Sequence, residues 1–238
     1  MTVVREEKPV IIRYIFRFDD GTQKIFEAIL DSQTLHARIK SELPPPDWAQ
    51  MDRSQCRGCP LDPAIHQYCP VAVNIAEIVS AFHGVISVTM ADIIVEMDER
   101  TVSKRTAVQN GLSSLIGVYM VASGCPIMEK LKPMVRFHLP FATPKETIYR
   151  AMTMHLGAQY FRMKRGLTPD WNLQQLYQLY EKVKNVNIGF AERLQKAAKQ
   201  DALRNSICKL DVFATFLQMG SLKTVDSLEY LFTPYLDF

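Results

Sequence analysis

Between residues 10 and 18 large apolar side chains alternate with polar ones, with Tyr14, Phe16 and Phe18 on one side and Arg13 and Arg17 on the other. A period of two predicts a half-buried strand. Asp19-Asp20-Gly21 supplies turn residues and the apolar positions resume at Phe26, Ala28 and Leu30, so the first thirty residues are expected to form a β-hairpin. A third extended segment, 86–97, is rich in β-branched and large apolar residues and ends at Asp98-Glu99-Arg100. It is expected to complete a small sheet.

Helical spacing takes over elsewhere. Val71, Ile75, Ile78, Val79 and Phe82 predict a helix over 71–82, ending at Gly84. From about Thr106 the chain reads as helices: 107–122, then 125–135, then one opened by Thr143-Pro144-Lys145-Glu146, which combines a cap, a proline at the first helical position and a capping-box glutamate. That helix should stop at Gly166. Thr168-Pro169-Asp170 is expected to open the next, with an apolar stripe at Leu173, Leu176, Tyr177, Tyr180 and Val183. A helix over 202–219 stopping at Gly220 and a short one over 225–232 complete the series. The fold class expected is α+β: a small antiparallel sheet, made of the N-terminal hairpin plus a third strand, with a Cys-rich loop and a mainly helical C-terminal body. The boundary falls between 1–105 and 106–238, either as two regions or within one compact domain. No internal repeat points to a solenoid.

Composition narrows the function. The 238 residues are 47% hydrophobic and 22% charged with a net charge of +3, an ordinary globular balance whose dispersed basic residues make nucleic acid a poor partner. The longest apolar stretches are too short or too broken for a membrane span. The charged residues 1–7 show no secretory pattern, so the expectation is a cytoplasmic protein. Its five cysteines then read as thiols or ligands rather than as disulfides.

Cys56, Cys59 and Cys69 carry the main chemical signal. Cys56-Arg57-Gly58-Cys59 is a C-x2-C pair and His66-Gln67-Tyr68-Cys69 an H-x2-C pair, both inside a loop with six prolines between 43 and 70 that exclude a long helix. The leading reading is a tetrahedral zinc held by Cys56, Cys59, His66 and Cys69, clipping a loop that has little apolar material of its own. Its span is that of a zinc knuckle, but the histidine falls closer to the last cysteine. The alternative uses Cys125 as fourth ligand in place of His66. Cys59, Cys69 and Cys125 each precede proline, as iron–sulfur ligands often do, and four thiolates suit a [4Fe-4S] cluster. A proline-rich loop of reduced cysteines with no metal is the third reading.

Cys125, within Ser123-Gly124-Cys125-Pro126, is placed by its neighbours at the start of a helix, where the dipole favours thiolate. His138 and Arg136 follow as candidate base and anion clamp for a nucleophilic site, although a core role for the thiol is the simpler expectation. The methionines between 120 and 163 read as core filling. His155 lacks a carboxylate three residues before it, and His36 and His83 stand alone. Phosphate-loop, dinucleotide, zinc-protease and hydrolase motifs are absent from the sequence, so an enzyme is not the leading expectation.

The strings Cys59-Pro60-Leu61, Cys69-Pro70-Val71-Ala72, Ser123-Gly124-Cys125-Pro126 and Arg136-Phe137-His138-Leu139-Pro140-Phe141 resemble those of a family of uncharacterised bacterial proteins. The resemblance implies a bacterial cytoplasmic protein and brings no activity. From the residues, the leading function is a binding or regulatory protein with a zinc-clipped loop. The alternative is a thiol-based or iron–sulfur redox or sensor protein using Cys125. The large apolar residues between Leu228 and Phe238, close to the C-terminus, predict a tail that docks, on its own helical body or on a second copy in a homo-oligomer; an unknown protein partner completes the set of expectations.

Overall fold

The computed structural model describes residues 8–38, 44–197, 201–218 and 225–236. Expectations that fall on residues 1–7, on Gly220 and on the final Asp237-Phe238 lie outside these. The hairpin forms as its alternation dictates, with β1 (Val10–Phe18) paired antiparallel to β2 (Gln23–Leu30). Beyond them β3 (Met90–Met97) pairs with the other edge of β1.

A fourth strand follows. β4 (Arg100–Ala107) pairs antiparallel with β3, giving the order β2-β1-β3-β4. Its sequence, RTVSKRTA, escapes apolar alternation because only Thr106 is buried, and a solvent-washed edge strand rich in charge is the usual device against edge pairing. The third strand also starts at Met90 rather than Ile86, because residues 86–89 form a turn in which Thr89 N–H donates to the Ile86 carbonyl at 3.1 Å.

One sheet face carries the core. Tyr14, Phe16, Phe26, Ile93 and Val95 are buried on it, and the rings of Phe16 and Phe26 meet Phe82 at centroid distances of 5.0 and 5.6 Å. Phe82 comes from α2 (Ala76–Phe82), which follows α1 (Pro70–Asn74) after a break at Ile75 that divides the single expected helix. Helix α3 (Val108–Val121) lies across this face: a Cβ on Gly111 would stand 2.5 Å from Ile93 Cδ1, so only glycine lets the helix seat so closely.

The helix expected over 125–135 is two shorter pieces, a 3-10 turn at Met128–Leu131 and α4 (Lys132–Arg136), because Pro133 fits only the first turn of a new helix. Helix α5 (Pro144–Lys164) has the predicted capping box, with Thr143 N–H donating to Glu146 Oε2 at 2.7 Å, and it ends before Gly166 at φ +71°. Helix α6 (Gln174–Ala197) begins several residues later than expected. Asp170 turns its carboxylate onto the Gln175 N–H at 2.6 Å, and Leu173 takes φ +61° ahead of the first turn. Helix α7 (Ala202–Gln218) packs on α6 and α3. Of the helix expected over 225–232 only Val225 and Asp226 are helical; a 3-10 turn, Glu229–Leu231, and a short turn of helix, Thr233–Leu236, follow. The tail folds back on α5: Leu228 is buried and the Phe232 ring stacks on Tyr149 at 6.4 Å.

Candidate metal centre

The proline-rich loop is closed at its base by two hydrogen bonds. A 3-10 turn, Asp47–Ala49, leads in; Met51 N–H donates to the Gln67 carbonyl at 2.9 Å and Cys69 N–H to the Ala49 carbonyl at 2.8 Å, so the two ends of the loop pair with each other. Between them Cys56-Arg57-Gly58-Cys59 closes a tight turn through Cys59 N–H to the Cys56 carbonyl at 3.0 Å, with Gly58 at φ +74°. That turn is why the x2 spacing needs glycine. Cys69 stands immediately before α1, and Pro70 occupies the first position of that helix.

Cys125 arrives from more than fifty residues away. Gly124, at φ +83°, turns the chain after α3, and the Ser123 hydroxyl accepts the Cys125 N–H at 3.2 Å. The result is a small cavity of about 30 Å3 whose wall includes Cys56, Cys59, Cys69 and Cys125, closed on its far side by Val186, Gly189, Phe190 and Arg193 of α6. His66 is absent from that wall and is exposed, its backbone N–H donating to the Asp62 carbonyl at 2.8 Å. The fifth cysteine, Cys208, is exposed on α7 and away from this cavity. Three loop cysteines and Cys125 are therefore brought together, and His66 is not.

The thiols share an electrostatic environment. Burial pushes the Cys56 thiol up to about 12, and the neighbouring Cys59, Cys125 and Cys69 act in the same direction. Cys125 is also raised, because burial outweighs the Met128 and Ile127 amides that donate to it. The expected dipole-activated thiolate is thus a protonated, buried thiol in the unligated chain. Among the described residues no group of three or more His, Cys, Asp or Glu stands close enough together to hold a metal ion as the chain is placed. The four thiols contribute to the wall of one small cavity.

Arg193 is the residue that sequence reasoning missed. It is 4% exposed, and its guanidinium donates to the carbonyls of Trp48, Gln50 and Ser54, with the Gln50 bond at 2.8 Å. One side chain therefore ties the entrance of the cysteine loop to α6 and sets a permanent positive charge at the cavity wall. The available signal was a charge inside an apolar helical series, since Val183, Val186, Phe190 and Arg193 follow one another at spacings of three and four.

The other candidates stand elsewhere. His138 borders two different cavities and meets the Tyr14 hydroxyl at 2.6 Å; burial lowers its pKa to about 3. Arg136 is exposed and pairs with Glu99 at 3.6 Å. Neither lines the wall that Cys125 lines. His155 does find a carboxylate, supplied by the loop after α5, with Asp170 Oδ2 at 3.3 Å, and His36 pairs with Glu129.

A family model described as a domain of unknown function, DUF6901, matches residues 12–233. The chain belongs to this family. The match runs from the third residue of β1 through β4 and takes in α1 to α7, so the DUF6901 domain comprises both the sheet and the helices that form the cysteine cavity. No curated protein and no solved structure matches the chain. Among the described residues of this DUF6901 protein no helix is long and apolar enough to cross a membrane.

Proposed function

We propose that Cys56, Cys59, Cys69 and Cys125 hold a [4Fe-4S] cluster and that the protein acts as a redox or sensor protein through it. The observation that carries this reading is the shared wall: four thiols, from two segments far apart in sequence, face one cavity from which His66 is excluded. Four cysteines are the ligand set of such a cluster, in which each iron takes one sulfur, and loading it would widen the present cavity of about 30 Å3. A bound cluster would supply reversible one-electron chemistry, with its potential set by burial, net charge and hydrogen bonds to sulfur.

The chain's own groups fit that role. Thiols must lose their protons to bind metal, and the raised Cys56 thiol makes loading pH-dependent, while the fixed charge of Arg193 offsets the negative charge that four thiolates bring. The Met128 and Ile127 amides that donate to Cys125 would serve as hydrogen bonds to a ligating sulfur.

A second reading, zinc bound by the same four thiolates as a structural clip for a regulatory or binding protein, draws support from the tight Cys56–Cys59 turn. One experiment separates the two. Protein purified without oxygen or chelators is analysed for iron, acid-labile sulfide and zinc, alongside Cys125→Ser and His66→Ala. Brown protein with iron and sulfide, lost in Cys125→Ser and kept in His66→Ala, is the expected result. Colourless protein with one zinc, lost in Cys125→Ser, transfers the site to the second reading, and metal lost only in His66→Ala overturns both.

A further inference from the structure

A second and much larger cavity, of about 540 Å3, lies between α3, α5, α6 and α7, on the other side of α6's contact with the cysteine loop. Its size is that of sites for small organic molecules, and four valines, three leucines and two methionines supply the main apolar part of its wall. The polar groups in that wall are selective. Among the described residues lining it there are three cations, Lys104, Arg150 and Lys209, and no carboxylate.

Two of the polar groups lack a complement. Arg150 is half-buried and uses Nη2 to donate to the carbonyls of Met134 and Phe137 at 2.7 and 2.8 Å, yet it forms no ion pair among the described residues. The exposed Glu146 carboxylate, one turn earlier on α5, acts on its charge from outside the cavity lining, and within the lining the guanidinium meets no anion. Asn187 is only 2% exposed, and its side-chain oxygen has no hydrogen-bond partner. Buried acceptors are nearly always satisfied, so this one calls for a donor.

The spacing of these groups gives the ligand a shape. Tyr180, Val183 and Asn187 recur along one face of α6 and all line the cavity. Arg150 stands at the Tyr180 end, near enough for its charge to act on that hydroxyl. Seven residues of helix then place Asn187 about 10 Å further along the same wall.

We propose that this cavity is a binding site for an elongated organic anion, with a carboxylate on Arg150, an apolar body along Val183 and its neighbours, and a hydroxyl or N–H donor meeting the Asn187 oxygen. The site is independent of the thiol centre. It shares helix α6 and Met128, whose amide donates to Cys125, but no ligand group, so the two stand or fall on different measurements.

Calorimetric titration with decanoate, ω-hydroxydecanoate and decylamine, each below micelle-forming concentration, tests it. Decanoate binds saturably at one site, ω-hydroxydecanoate binds more tightly, and decylamine does not bind. Arg150→Gln weakens decanoate by about tenfold, the loss of one charge-assisted pair. Asn187→Leu removes the advantage of the hydroxyl. Gly117→Leu blocks the cavity without touching a polar group: a Cβ there meets only Leu210 Cδ2 at 3.6 Å, so the fold accepts a side chain that fills the space. Absence of saturable binding, equal binding of decylamine, or undiminished decanoate binding by Gly117→Leu overturns the proposal, the last of these even where Arg150→Gln fails to fold.

Discussion

Gly189 of α6 lies directly against Cys56: a Cβ built on the glycine would stand 2.8 Å from the Cys56 Cβ and 2.9 Å from its Cα. The obstacle is backbone, so neither side can rotate away. Gly189→Ala should therefore displace the C-x2-C turn, and overpacking of this kind costs about 1–3 kcal/mol, more than the roughly 1 kcal/mol gained by replacing a helical glycine. Gly157 of α5 is the internal comparison, since a Cβ there meets nothing within 4 Å. Thermal melts should show a lower midpoint for Gly189→Ala and a slightly higher one for Gly157→Ala; equal shifts would remove the close contact as their cause.

Arg193→Met keeps much of the buried length of the side chain and removes its donors. The carbonyls of Trp48, Gln50 and Ser54 would then lose their partner in a site with little water, at a cost of about 2–4 kcal/mol. Urea unfolding measures this. The loop should also become more sensitive to proteolysis than the sheet, because the guanidinium is what fastens it to α6.

Thiol reactivity should order itself by environment in the metal-free protein. Cys208 is exposed and alkylates first, whereas Cys56, raised to about 12 by burial and its thiol neighbours, and the buried Cys125 react slowly near neutral pH. The folded value of Cys56 lies above its ordinary 9.0, so its contribution to stability is whole below pH 9 and is lost as pH rises toward 12. Timed alkylation read by peptide mass gives the order, and rapid labelling of Cys56 at pH 7 would contradict it.

His138 governs the acid side. Its side chain is held neutral by burial, with Arg150 opposing protonation further, and its Nε2 shares a hydrogen bond of 2.6 Å with the Tyr14 hydroxyl. The folded pKa, about 3, lies below the ordinary 6.5, so the stabilisation is present above pH 6.5 and is lost as pH falls from there toward 3. Melting temperature followed from pH 7 to pH 4 should fall less steeply in His138→Gln than in the parent. Identical slopes would assign the acid sensitivity to other groups.

The C-terminal turn is tied to the helical body by Leu228, which is 2% exposed, and by the Phe232 ring on Tyr149. Phe232→Ala should lower the melting midpoint by removing that stacked pair, a change of about 1 kcal/mol or more. Light scattering on the same variant separates docking on the chain itself from docking on a second copy: unchanged mass with reduced stability supports the former, and dissociation the latter.

The sequence by itself determined what short-range periodicity and backbone chemistry can express. Alternation from Tyr14 to Phe18 and from Phe26 to Leu30 specifies a hairpin because successive side chains must face opposite ways, and Thr143 with Glu146 specifies the start of α5 because the cap is complete within four residues. β4 stayed hidden, since an edge strand bathed in water needs no apolar pattern. At the cysteine centre the C-x2-C turn was legible, but the choice between His66 and Cys125 was not. Both lie within chemical reason of Cys69 by type, and only the path of the chain decides which arrives: His66 turns outward with the Asp62 loop, while Gly124 swings Cys125 back under α6. Gly189 and Arg193 belong to the tertiary structure for the same reason, because a helix of mixed composition shows which residue is a glycine or an arginine and nothing of what will be pressed against it.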